Sequence, residues 1–245
     1  LGEFNKAKPL KKVNEMIGAN YFKKLPPDIH DLYNLYQIIT LNKRTTIWEI
    51  GCGYSSLIII IALNDLKKKF FNKTLKLRRN NPYELFILDN ENKYLNSTKN
   101  LIKNYFRKSK QKNNVKIHYL KSNLNMTKFN GQICTEYSKL PMCNPDFIYL
   151  DGPGQFSVRN NVNGFSTRHI DLMPMSCDIL KIENFLIPGT ILLSDGRAAN
   201  VRFLINNLKR NWVYKKFQHV DQHVLYLKEI SLGKINSDLL KFYKL

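Results

Sequence analysis

Ile47-Trp48-Glu49-Ile50-Gly51-Cys52-Gly53-Tyr54-Ser55 is the stretch whose reading decides the fold. Apolar residues around one acid lead into Gly-x-Gly, and small hydroxyl residues follow. This reads as a strand, a tight turn and a helix start. Glycines at 51 and 53 open backbone angles closed to other residues and leave no Cβ between chain and ligand. An adenosine-bearing cofactor is the usual occupant of such a turn. A dinucleotide fold needs Gly-x-Gly-x-x-Gly, so that a pyrophosphate rests on the helix N-terminus. Here Ser56 takes the last of those positions, and Glu49 stands two residues before Gly51. A carboxylate there repels a pyrophosphate and suits a cationic ligand, such as a sulfonium compound bearing an ammonium group.

Strand and helix signals alternate on both sides of this turn. Pro26-Pro27-Asp28 offers a helix start, with Ile29, Leu32, Leu35, Tyr36 and Ile39 at helical spacing. Strands are expected at Thr46–Ile50, Glu84–Leu88, Lys116–Leu120, Phe147–Leu150 and Thr190–Ser194. Helices are expected from Ser55 to about Phe71, over Tyr94–Arg107, around Ser176–Leu186 and over 198–210. The segments near Trp212–Gln218 and His223–Lys228 have no helix between them and should pair as an antiparallel hairpin. A basic insert fills 72–82, and the Pro-containing stretch 124–144 reads as irregular. The fold class is therefore α/β, a mostly parallel seven-stranded sheet with a C-terminal antiparallel hairpin and helices on both faces. Residues 1–25 read as a basic N-terminal extension and 26–245 as a single domain.

Open sheets of this kind bind ligands beyond the carboxyl ends of their strands. The residues after each strand are then the candidates: Glu49 to Ser56, Asp89 to Glu91, Lys121 to Asn123, Asp151 to Gly154, and Asp195 to Arg197. Asp89 can accept hydrogen bonds from both hydroxyls of a ribose, or cap the following helix with Asn90 and Glu91. Ser122 and Asn123 stand where contacts to an adenine edge would fall. Asp151 and Asp195 end neighbouring strands, so their carboxylates should converge on one cleft. The stretch 152–170 carries Gln155, Arg159, Asn160, Asn161, Asn163, Arg168 and His169, a set able to hydrogen-bond a polar or anionic substrate. It reads equally as a solvated loop. Arg197 could bind an acidic substrate group or neutralise Asp195.

The formal charge of +20 over 245 residues invites a nucleic-acid partner. Most of it is lysine in a chain rich in Asn and Ile, which is also what an AT-rich genome produces. The longest apolar run, Leu57 to Leu63, is far short of the roughly 20 residues of a membrane span. No secretory signal pattern is visible. Cys52, Cys134, Cys143 and Cys177 form no Cys-x-x-Cys pair, and reduced thiols in the cytoplasm are the expectation. Nothing in the sequence signals an oligomeric state.

Glu49-Ile50-Gly51-Cys52-Gly53-Tyr54-Ser55-Ser56, Leu88-Asp89, Asp146-Phe147-Ile148-Tyr149-Leu150-Asp151-Gly152-Pro153 and Leu186-x-Pro188-Gly189-Thr190-x-Leu192-Leu193-Ser194-Asp195 together resemble successive motifs of class I S-adenosylmethionine-dependent methyltransferases. The resemblance covers roughly 45–228 and looks most like the small-molecule and sugar O-methyltransferase branch. It implies a Rossmann-like methyltransferase fold, with S-adenosylmethionine held by Glu49, Gly51, Cys52, Gly53, Tyr54, Ser55, Ser56, Asp89, Asn90, Ser122, Asn123, Asp151 and Gly152. The implied reaction moves a methyl group to a hydroxyl of a polar small molecule or sugar. Candidate bases are Asp151, Asp195 and His169, and Arg159, Arg168 and Arg197 would meet the substrate. Asp151 and Asp195 could also hold Mg²⁺. The metal-dependent branch usually continues with Asp-Asn after strand five, where this chain has Asp195-Gly196-Arg197. Alternatives are an RNA ribose methyltransferase, which should carry the basic runs around 67–79 and 108–116 on its cleft face, and a cofactor-binding protein without catalysis. The Asn/Asp-Pro-Pro-Tyr/Phe signature of amino-methylating nucleic-acid enzymes is replaced by Asp151-Gly152-Pro153-Gly154.

Overall fold

The computed structural model describes residues 28–78 and 80–244. The expected extension, 1–25, lies outside them, as do Pro26 and Pro27. Asp28 caps the first helix, its carboxylate accepting from the His30 N–H at 2.7 Å. The elements are α1 (Ile29–Leu41), β1 (Thr46–Ile50), α2 (Tyr54–Thr74), β2 (Glu84–Asp89), α3 (Asn92–Ser109), β3 (Lys116–Lys121), β4 (Leu124–Phe129), β5 (Gln132–Tyr137), β6 (Phe147–Leu150), α4 (Asp178–Ile182), β7 (Ile191–Asp195), α5 (Ala198–Asn207), β8 (Trp212–Phe217), β9 (Gln222–Leu227) and α6 (Gly233–Lys244).

Seven strands form one sheet in the order β3-β2-β1-β6-β7-β9-β8. The first five of that order run parallel, and β9 lies antiparallel to both β7 and β8. This is the Rossmann-like arrangement expected, and its order reverses between β1 and β6, the place where open sheets take ligands. Side chains alternate across the sheet. Ile47, Leu85, Ile87, Phe147, Tyr149 and Leu193 pack under α1, α2 and α3. Trp48, Ile50, Leu88, Ile148, Leu150 and Leu192 pack against α4, α5 and the β4–β5 pair. The Ile58–Ile61 run is helical and buried, because tertiary packing outweighs the strand preference of β-branched residues.

Three readings change. The stretch 124–144 is not wholly irregular: β4 and β5 form a separate antiparallel ribbon, turned by Asn130-Gly131, both with positive φ. Asn-Gly favours that turn. The helix around 176–186 shrinks to α4 and a 3₁₀ turn, because Ser176 is held extended by a bridge to Thr135. A further helix, α6, closes the amino ends of the strands. There Arg44 lies 3.9 Å from the Tyr243 ring centre and donates to the Gly189 carbonyl, and Asn236 donates to that of Pro188.

The same end is fastened by Asp146, which is fully buried. Its carboxylate accepts from the backbone of Thr45 and Thr46, the Thr45 hydroxyl, Arg78 at 3.0 Å and the Tyr243 hydroxyl at 3.0 Å. Deleting it leaves a buried guanidinium and several donors without an acceptor. Asp146→Ala should therefore lower unfolding free energy in urea by about 3–5 kcal/mol; a loss under about 1 kcal/mol would refute this role.

Candidate active site

The carboxyl ends of β1 and β6 meet backbone to backbone. A Cβ on Gly152 would sit 2.8 Å from the Gly51 nitrogen, and one on Gly51, whose φ is +96°, would sit 3.0 Å from the Asp151 carbonyl. No side chain fits at either position. A Cβ on Gly53, by contrast, meets nothing within 4 Å, so the turn opens there to free space. The diglycine bend thus has one face against the sheet and another available to a ligand.

Glu49 sits below the bend and is fully buried. Its two carboxyl oxygens accept from the Ser55 and Ser56 hydroxyls, each at 2.6 Å. The Ser56 oxygen also accepts from the Gly53 N–H at 3.2 Å. Glu49 therefore fastens the first turn of α2 to β1. Burial pushes its carboxyl up to about 8, against the pull of the two serines.

Asp89, buried at the end of β2, accepts from the Glu91 N–H at 2.7 Å and from the Cys52 thiol at 3.4 Å. It thus shapes the entry to α3 and also ties β2 to the glycine bend. Desolvation raises its carboxyl and that of Asp195. Ser122 and Asn123 also hold the β4–β5 ribbon. The Ser122 hydroxyl accepts from the Lys139 N–H at 2.8 Å, and the Asn123 carbonyl from that of Ser138 at 2.9 Å, so they secure the base of the β4–β5 ribbon beside Asp89.

Asp151 and Asp195 follow paired strands, β6 and β7. Asp195 accepts from the Tyr149 hydroxyl at 2.9 Å. Asp151 has a half-exposed side chain at the cleft, and the protein around it still pushes its carboxyl up to about 6, with Arg197 opposing. Arg197 donates to the Pro153 carbonyl at 2.9 Å and the Asp151 carbonyl at 2.5 Å, with its Nε 3.5 Å from the Asp151 carboxylate. Its guanidinium holds the 151–153 turn, which leaves less of it for a substrate than the sequence suggested. No cluster of three or more metal-ligating side chains occurs among the described residues. The donor set does not fit Mg²⁺.

Loop 152–170 is docked on β4, where the Asn160 side chain pairs with the Met126 backbone and the Arg159 N–H donates to the Leu124 carbonyl at 3.0 Å, and Val158 is buried beside them. Arg159 and Arg168 are exposed on it. His169 is exposed as well; its ring nitrogen lies 3.8 Å from Asp171, and its carbonyl accepts from Gln155. No contact joins His169 to Asp151 or Asp195.

Two residues escaped the sequence reading. Asp31 of α1 comes close enough to Asp195, Asp221 and Asp151 that burial and their charges push its carboxyl up to about 7. Tyr137, at the end of β5, is buried with no hydrogen-bond partner for its hydroxyl, and the charges of Asp89, Asp178 and Arg197 bear on it. The first needed knowledge of how α1 crosses the sheet. The second needed the ribbon that the Asn-Gly turn announces.

No protein-family model matches the chain, and no curated protein matches it. Solved structures are similar to it at low identity. The SAH-bound methyltransferase of Podospora anserina is 14% identical, with 89% of this chain and 88% of that one covered and a TM-score of 0.47. The O-methyltransferase from Bacillus cereus in complex with SAH is 12% identical over 92% of each chain, with a TM-score of 0.44. The O-methyltransferase TomG from Streptomyces achromogenes, in complex with SAM, is 11% identical over 92% of each chain, with a TM-score of 0.43.

Gly152→Ala should cost about 1–3 kcal/mol of stability by overpacking backbone against backbone. Gly53→Ala should leave the urea midpoint nearly unchanged, so equal losses in the two variants would contradict this geometry. The raised carboxyls also set a pH trend. Glu49, at about 8 when folded, keeps a proton that the unfolded chain releases near the ordinary glutamate value of 4.5. Its contribution is thus complete below the unfolded value and is lost as pH rises through the folded one. Melting temperature should fall between pH 5 and 8 and fall less in Glu49→Gln; identical slopes would contradict a buried, protonated Glu49.

Proposed function

We propose that the protein is an S-adenosylmethionine-dependent methyltransferase acting on a hydroxyl of a polar small molecule or sugar. One observation carries this reading: a glycine bend, open to free space at Gly53, lies beside a buried strand-end acid, Asp89, at the point where the strand order reverses. Bound there, S-adenosylmethionine would supply an activated methyl group on a sulfonium. The residues Gly51 to Ser56 would admit it, the acids nearby favouring a cation over a diphosphate. Asp89 would accept from ribose hydroxyls, with Asn90, Ser122 and Asn123 shaping its surroundings.

Asp151 is the best-placed general base. Its side chain is half exposed at the cleft, and a carboxyl pushed up to about 6 is suited to taking a proton near neutrality. Asp195 would stay with Tyr149 as a neighbouring charge, and His169 is less well placed. Arg159 and Arg168, exposed on the loop beside the cleft, suit an anionic group on the substrate.

An RNA acceptor is less well supported. Apart from Lys93, at the start of α3, the basic residues in the later turns of α2 and α3 lie toward the amino ends of the parallel strands, away from the cleft, since both helices begin at the carboxyl ends. Among the described residues no helix is long and apolar enough to cross a membrane. The four cysteines are free, which suits the reducing cytosol in which we place the protein.

Calorimetry with S-adenosylhomocysteine and with NAD tests the reading. The former should bind and the latter should not. Asp89→Ala should weaken binding at least about tenfold, the loss of a charge-assisted hydrogen bond. Asp151→Asn should bind within about threefold of the parent and lose roughly 10²–10⁴ in methyl transfer. Binding of NAD alone would end the proposal.

A further inference from the structure

Charge is sorted along the strands. Asp31, Glu49, Asp89, Glu91, Asp151, Asp195 and Asp221 gather at the carboxyl ends, near the cleft. The opposite end of the β1–β2–β3 half is basic. No acid occurs between Leu66 and Tyr83 or between Asn92 and Lys116.

The fold joins these two acid-free segments into one surface. The Asn64 amide of α2 donates to Asn113 at 2.9 Å and its oxygen accepts from the Asn114 N–H at 2.9 Å. Lys67 reaches across to the Asn114 carbonyl. The loop after α3 is thereby clasped to α2. Lys68, Lys69, Lys73 and Lys76 are exposed on the α2 side, and Lys103, Arg107, Lys110 and Lys112 on the α3 side. Of the acids that border this surface, Glu84 is engaged by His118 and Lys116, Asp65 by Tyr36 and Asp146 by Arg78. Phe71, 41% exposed, lies beneath Lys67 within this field.

A surface on which clustered cations outnumber acids holds condensed anions, and a polyanion that displaces them gains by their release. Lysines on flexible stems suit a phosphate backbone read without sequence preference, and an exposed aromatic ring among them offers a face to an unpaired base. We propose that the clasped α2–α3 surface is a docking site for single-stranded nucleic acid, separate from the cleft and independent of the reaction performed there. It would hold the protein near an RNA rather than present a base or ribose for chemistry. The formal charge of +20 then has a local role beyond composition.

Fluorescence anisotropy with a labelled mixed-sequence RNA of about 20 nucleotides, from about 50 to 200 mM salt, tests this on the full chain. Lys68→Glu/Lys69→Glu/Lys73→Glu should weaken binding at least about tenfold and make the log–log salt slope shallower by about 2, as loss of three phosphate contacts predicts. Lys103→Glu/Arg107→Glu/Lys112→Glu should do the same, which guards against one variant failing to fold. The control, Lys209→Glu/Lys215→Glu/Lys228→Glu, carries the same change in net charge near the β8 edge and should bind within about threefold of the parent. An equal loss in the control would reduce the effect to bulk charge and overturn the site. So would absence of RNA binding at low salt, or tighter binding to phosphatidylserine vesicles than to RNA.

Discussion

The approach of Gly51 to Gly152 is the constraint on which the cleft depends. Two neighbouring parallel strands can end side by side in many sequences, but only glycine at both positions lets their backbones come this close. That contact fixes where the β1 turn sits, and with it the first residues of α2. Glu49 completes the arrangement by holding Ser55 and Ser56 from below. The open side at Gly53 is what remains. That open side is a consequence of backbone packing.

The same geometry crowds carboxylates. Parallel strands that each end in an acid bring Asp89, Asp151 and Asp195 to one end of the sheet, with Glu49 beneath and Asp31 above. Desolvation pushes every one of their carboxyls upward. Arg197 is the cation that the fold places among them, and its hydrogen bonds show it holding the 151–153 turn. The carboxyl end of the sheet therefore gathers acids whose charged forms burial disfavours, while exposed lysines collect at the opposite end of α2 and α3.

Much of this was legible in the residues themselves. The parallel strands, the C-terminal hairpin and the strand-end acids follow from period, turn chemistry and the rule that ligands sit beyond carboxyl ends. The β4–β5 ribbon was missed although Asn130-Gly131 announces it, because Pro141 and Pro145 made the whole stretch look irregular. Helix α6 has Ile235, Leu239 and Phe242 at helical spacing, yet its role becomes visible only when Tyr243 reaches Asp146 over a separation of 97 residues. Partners are what sequence hides best. Glu49 looked like a ligand contact and is bound to two serines; Ser122 looked like an adenine contact and supports a ribbon. The serines that hold Glu49 stand six and seven residues on, and the partner of Ser122 seventeen, so neither pairing shows before the turn and the ribbon are built.

A crystal structure with S-adenosylhomocysteine bound would test the central claim most directly. Density should lie across Gly51–Gly53, with the ribose hydroxyls on Asp89 and the amino group on the Glu49 side of the bend. Density at another part of the sheet, or a ligand whose ribose faces away from Asp89, would contradict it.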